Sequence, residues 1–278
     1  MTDTTTPARS TGRGKSANDG RMSLVEHLVE LRNRLFKSAL AVLVGVIVAF
    51  AFYRPLLELL THPLCEVQAK RGNDCNLAFF SPLDGFLVRM RVSLFVGFVI
   101  SSPVWLYQLW AFITPGLHPK EKRLALPFVG TSIALFTAGA TFAYFTLSKG
   151  LEFLLGFSTD LVEPILEVNR YLSFVLLMLA AFGISFEFPL VLIFLTLVGV
   201  VDAPKLRRWR RGMYFGIAVF SAIITPSQDP FTFAAMAVPM GLFYEAAVVF
   251  ARIHARRKRR RAEAEPASQW ADDETSPL

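Results

Sequence analysis

Apolar residues gather in six runs along the chain: Lys37–Tyr53, Val92–Ile113, Leu124–Leu147, Leu172–Val201, Gly212–Thr225 and Phe231–Val249. A helix rising 1.5 Å per residue needs roughly 20 apolar residues to cross the hydrocarbon of a bilayer. The second, third and fourth runs meet that length, and the first reaches it by borrowing its flanks. The fifth is only about 14 residues long, and the sixth is similar before Glu245 interrupts it. Either the bilayer thins around these two, or Glu245 reaches an interface while its helix continues. The pattern predicts an all-α membrane protein with six transmembrane helices, the fifth and sixth of them short.

Ahead of the first run, Ser23-Leu24-Val25-Glu26 has the spacing of a capping box, which predicts a helix start. Leu24, Leu28, Leu31 and Leu35 then recur on one helical face, as in an amphipathic segment lying on a membrane before the first span enters it. Its polar side carries His27, Glu30 and Arg34, with Arg32 beside them. Residues 1–22 are polar, lack the apolar core of a cleaved signal sequence and predict a disordered tail. Gly14-Lys15-Ser16 matches only the end of a phosphate-binding loop, with no strand before it, and is a chance match. The membrane domain is expected over 23–251, and 252–278, basic and then acidic, as a second disordered tail.

Composition agrees with lipid as the solvent: 53% of residues are hydrophobic and 18% charged, against about a quarter charged in soluble domains. The net charge of +7 raises nucleic acid as a partner, but the basic residues cluster at the ends of the apolar runs and no nucleic-acid-binding motif accompanies them. Their placement reports orientation instead. Of 29 Lys and Arg residues, 22 fall in the first 37 residues, between the second and third runs, between the fourth and fifth, and after the sixth. Positive-inside bias then puts both termini in the cytoplasm.

Four polar features stand out on that frame. Glu187 lies near the middle of the fourth run between two phenylalanines, where a charge costs roughly 2.5–3.5 kcal/mol on insertion scales. It is either a working site, as a proton carrier or a docking point for a polar partner, or a protonated acid making one structural hydrogen bond. Pro189 predicts a kink just beyond it. In the turn Thr225–Pro230, Asp229 is placed to cap the sixth helix. Cys65 and Cys75 share the first external connection and are either bridged, as an oxidising compartment permits, or two unpaired thiols. Glu30 and Glu121 occupy the same membrane face, where two carboxylates could receive two guanidinium groups by bidentate pairs. On pattern alone, Glu30 and Arg34 are a solvated i,i+4 pair worth a few tenths of a kcal/mol.

Several strings, in order and in spacing, resemble the TatC subunit of the twin-arginine protein translocase. They are His27–Leu35, Phe80-Ser81-Pro82, Ser102–Leu117, Tyr171–Phe174, Phe182–Pro189 and Thr225-Pro226. The resemblance covers about Ser23 to Arg252. It implies a signal-peptide receptor and core subunit in the bacterial cytoplasmic membrane, exporting folded proteins at the expense of the proton-motive force. Its implied partners are TatA-type and TatB-type single-span proteins, twin-arginine signal peptides, membrane lipid and further copies of itself in a homo-oligomer. By motif match, Glu30, Arg32, Phe112 and Glu121 resemble the family's signal-binding residues. Glu187 resembles its buried polar position, and Pro63 and Asp229 match external positions of structural or functional weight.

The rival reading is a proton-coupled transporter of a small solute with Glu187 as the proton site. Such folds often show two related halves, and Glu187 has no counterpart in the first three runs. An enzyme is not expected: there is no zinc-binding His-Glu-x-x-His pattern, the four histidines are scattered, and no nucleotide-binding loop is present. No cofactor and no metal are expected.

Overall fold

A computed structural model describes residues 24–113, 125–157, 166–227 and 229–264. The first helix, α1 (Leu24–Ala51), is unbroken. The expected surface segment and first span are therefore one rod, because neither Gly nor Pro interrupts α1 between Leu24 and Gly45. The connection that follows holds a helix the hydropathy did not announce, α2 (Tyr53–Lys70), and a two-residue strand, β1 (Leu77–Ala78).

The second run is divided into α3 (Asp84–Ile100) and α4 (Ser102–Ile113), which meet at 55°. Pro103, in the first turn of α4, cannot donate to the carbonyl four residues back, so the helix breaks before it. The carbonyl of Phe98 at this corner accepts from Ser101 Oγ and from Trp105 Nε1, each at 3.0 Å, and so remains satisfied. Next come α5 (Ala125–Leu155) and β2 (Leu166–Glu167), the latter pairing in parallel with β1. The fourth run divides as well, into α6 (Val168–Ser185) and α7 (Phe188–Leu197), with Glu187 at the N-terminus of α7 and Pro189 in its first turn.

The last two helices are α8 (Ala203–Ile224) and α9 (Pro230–Ala264). Here the expectation of short helices is corrected. Their apolar stretches are short, but α8 has 22 residues and α9 has 35. Glu245 does not end α9, because Arg210 of α8 donates to it at 2.5 Å and Tyr214 at 2.7 Å. The helix also passes Arg252, where a disordered tail was expected, and runs to Ala264.

Among the described residues, four stretches are long and apolar enough to cross a bilayer: Val25–Ala51, Leu126–Leu155, Val168–Leu197 and Pro230–Arg257. The bent pair α3–α4 makes a fifth if counted as one span. Large apolar side chains such as Phe36, Ile47, Phe215, Ile223 and Leu242 point outward, as lipid permits and water does not. Inside, one cluster joins α6 and α7 to α8 and α9 around Phe182, Met236 and Tyr244, and another joins α2, α3, α5 and α6 around Leu64, Val92 and Val175.

The backbones of α1 and α3 touch directly. A Cβ on Gly97 would lie 2.4 Å from the Val46 nitrogen, and one on Gly45 would lie 2.5 Å from the Gly97 oxygen. Such close approach of small residues is how helices pack where no hydrophobic effect drives them together.

The opposite end of the molecule is pinned by polar contacts. Pro63 sits inside α2 and has no N–H for the Leu59 carbonyl; Tyr144 of α5 donates to that oxygen at 3.1 Å. Tyr171 of α6 donates to the next carbonyl, Leu60, at 2.9 Å. Cys65 and Cys75 are joined by a disulfide, and Arg71 within the loop they close donates to the Leu155 carbonyl at 2.6 Å.

Candidate functional site

Two polar sites emerge from these elements. The first lies where α1 meets α4. Glu30 and Arg34 are one helical turn apart, so both project from the same face of α1. Arg34 donates to Glu30 Oε1 through Nη2 at 2.6 Å and through Nε at 2.9 Å. Its Nη1 reaches Gln108 of α4, more loosely, at 3.4 Å. The other carboxylate oxygen, Glu30 Oε2, is buried with no hydrogen-bond partner among the described residues. One turn earlier, His27 stacks on Phe112 with ring centroids 4.4 Å apart.

Below this cluster runs an open groove of about 510 Å³. Leu35, Ala39 and Val42 of α1 form one wall, and Trp105 and Leu109 of α4 the other, with Phe98 at the corner. An apolar trough thus ends at Arg34 and Gln108, and behind Arg34 the Glu30 carboxylate has one oxygen engaged and one buried without a partner among the described residues. A guanidinium arriving at the rim could take the free oxygen while an attached apolar segment lay along the trough.

The second site is buried between helices. Ser132 of α5 donates to Glu187 Oε2 at 2.6 Å, and Trp110 Nε1 of α4 donates to Ser132 Oγ at 3.0 Å. The relay joins three spans through side chains of which Ser132 and Trp110 are fully enclosed. Glu187 Oε1 is buried without a partner among the described residues. On its other side Glu187 borders a cavity of about 390 Å³ lined by Met213, Gly216 and Phe220 of α8 and by Met240 of α9. An unsatisfied acceptor beside an apolar cleft favours a donor brought by another helix.

The family model for the Sec-independent protein translocase protein (TatC) matches residues 26–239. The chain belongs to the TatC family. The TatC of Frankia casuarinae is 48% identical over 274 residues, covering 96% of this chain and 75% of that one. The TatC of Aquifex aeolicus is 42% identical over 241 residues, covering 86% and 98%. A crystal structure of a twin arginine translocase receptor, TatC, shares 41% identity and superposes with a TM-score of 0.70 over 82% of this chain and 99% of that one. The chain is therefore a translocase component and, by its apolar helices, a multi-pass membrane protein.

Within this TatC chain the sequence-derived residues fall as follows. Glu30 and Phe112 lie at the same end of the groove. Arg32 is exposed on the side of α1 turned away from Glu30, since residues two apart on a helix do not share a face. Glu121 lies outside the described residues. Glu187 stands in the α6–α7 break. Pro63 is buried in α2. Asp229 caps α9: its Oδ1 accepts the Thr232 N–H at 2.8 Å, and the Thr232 hydroxyl also donates to its carboxylate.

Three participants escaped the reading of the sequence. Gln108 is the lone amide in α4, a polar residue in an apolar stretch, and that signal could have flagged it. Ser132 and Trp110 carry no comparable mark, since serine and tryptophan are ordinary in membrane helices. Their roles appear only when α4, α5 and α7 are brought together.

Proposed function

We propose that this chain is the signal-peptide receptor and core subunit of a twin-arginine translocase, exporting folded proteins across the bacterial cytoplasmic membrane with the proton-motive force as energy source. The observation that carries it is the Glu30–Arg34 pair, with one Glu30 oxygen unpartnered, at the end of the apolar α1–α4 groove that Arg34 lines. Glu30 and Glu121 receive the paired arginines at the cytoplasmic rim, with Phe112 beside Glu30 and Arg32 on the opposite side of α1, and the apolar stretch of the signal lies in the groove. Charge-assisted bonds contribute roughly 1.5–3 kcal/mol each, which discriminates a planar guanidinium fork from a lysine point charge.

The topology under this reading has six spans: α1, the α3–α4 pair, α5, α6–α7, α8 and α9. Both termini are cytoplasmic, as the basic clusters support. Glu187 and its cavity then dock TatA-type or TatB-type single-span partners, and several copies of the chain assemble in the complex. A proton-coupled solute transporter has no observation in its favour beyond the buried acid itself.

The test is photo-crosslinking of a twin-arginine signal peptide from a probe at Leu109, in the groove. Crosslinking should fall sharply with Glu30→Ala and with Lys-Lys in place of Arg-Arg. Undiminished crosslinking in both would overturn the assignment.

A further inference from the structure

Away from both sites, α8 and α9 enclose a cleft of about 630 Å³ whose lining is dominated by five arginines: Arg207 and Arg208 from the start of α8, and Arg252, Arg256 and Arg259 from the extension of α9. Among the described residues none of the five forms an ion pair, whereas their neighbour Arg210 is held by Glu245. Cations usually neutralise one another's repulsion with interspersed acids. A cleft lined by one sign only is complementary to an anion supplied from outside.

The width of the cleft is fixed by two contacts between the same helices. Tyr244 donates to the Leu206 carbonyl at 2.5 Å, and Arg210 donates to Glu245 at the same distance. These pins set the start of α8 beside the second half of α9. The arginines are thus held at the end of both helices, where apolar surface gives way to charge.

The surface on the membrane side of the arginines is apolar. Phe215 lies two turns from Arg208 on the same face of α8, and Val249 lies one turn from Arg252 on α9; both are exposed. Trp209, also exposed, stands among the arginines, and tryptophan is enriched at the headgroup level. A ligand matching the whole patch carries negative charge at one end and hydrocarbon at the other.

We infer that the α8–α9 cleft is a binding site for the phosphate headgroup of an anionic phospholipid, whose acyl chains lie on the exposed apolar flanks beneath. Guanidinium groups suit phosphate oxygens through paired N–H donors, and basic clefts between spans at this depth bind phosphorylated headgroups. The site also gives the α9 extension a physical reason to remain helical past the apolar stretch: its arginines are neutralised by lipid rather than by each other's neighbours in the chain.

The full chain is released from nanodiscs of phosphatidylcholine with phosphatidylglycerol, and retained lipid is identified by native mass spectrometry. Phosphatidylglycerol should be retained in preference to phosphatidylcholine. The combined substitution Arg207→Gln, Arg208→Gln, Arg252→Gln and Arg256→Gln should abolish that preference, and single substitutions should each weaken it roughly five-fold. The exposed pair Lys149→Gln and Arg170→Gln, at the other end of the molecule, should leave it intact. If the combined variant does not fold, the single variants and the conservative Arg→Lys series decide the matter. Millimolar inorganic phosphate should not displace the lipid. Equal retention in all variants, or release by free phosphate alone, would overturn the lipid assignment.

Discussion

Tyr144 supplies the hydrogen bond that Pro63 cannot: its hydroxyl lies 3.1 Å from the Leu59 carbonyl, the acceptor a residue with an N–H at position 63 would fill. The two residues are far apart in sequence, and the contact ties α2 to α5. Replacing Tyr144 by Phe should destabilise the protein by about 0.5–1.5 kcal/mol, the worth of one net hydrogen bond. In a Pro63→Ala background the same change should cost much less, because the alanine N–H then serves Leu59. A double-mutant cycle on unfolding in detergent measures the coupling, and additive effects would refute it.

Ser132 holds Glu187 and is held by Trp110. Ser132→Ala removes the donor to a buried carboxyl oxygen of Glu187, which should cost about 1–3 kcal/mol. Ser132→Thr keeps the hydroxyl and should retain most of that stability. Thermal unfolding of the purified variants compares the two. If the relay also sets the carboxyl's direction for docking, co-purification of single-span partners should drop with Ala and persist with Thr.

Asp229 gives a dependence on pH. Burial would raise its pKa, but hydrogen bonds from Ser227, Thr232 and the Phe231 backbone outweigh that and hold it below the ordinary 3.8. A depressed carboxyl contributes stability that is complete above its unfolded value and is lost as pH falls through the lower folded one. The cap should therefore persist through mildly acidic conditions and fail only below the ordinary carboxylate range. In melting curves taken as pH is lowered, Asp229→Asn should remove that part of the acid loss; an unchanged acid limb would count against it.

The Cys65–Cys75 bridge closes a short loop, worth about 2–3 kcal/mol in the chain-entropy account. Replacing both cysteines by serine should lower the unfolding midpoint accordingly. The same pair reports orientation. A membrane-impermeant thiol reagent added to intact cells stripped of their outer barrier should label the wild type only after reduction. Labelling that requires opening the cytoplasmic side would invert the proposed topology.

The chain announces its breaks unevenly. Pro189 beside a buried acid made the α6–α7 interruption legible, yet Pro103 was absorbed into an apolar run that reads as one straight span. Helix α2 was missed because hydropathy looks for lipid-facing segments, and Tyr53–Lys70 mixes charged and apolar residues. The extension of α9 was misread for the opposite reason. Its Arg, Lys, Ala and Glu resemble a disordered tail in charge, but they are strong helix formers. At the site, the four-residue spacing of Glu30 and Arg34 was visible from the start. What spacing could not give was the partner across the groove: nothing local tells Gln108 to face Arg34, or Ser132 to face Glu187.

The contact of Gly45 with Gly97 has a mechanical consequence. Because main chain rests on main chain, any sliding of one rod along the other would drive a side chain into a space made for hydrogen atoms. The two rods must travel together as a single plank. Any change in the width of the trough has then to come from the shorter rod beyond Ser101, which meets its neighbour at a 55° elbow.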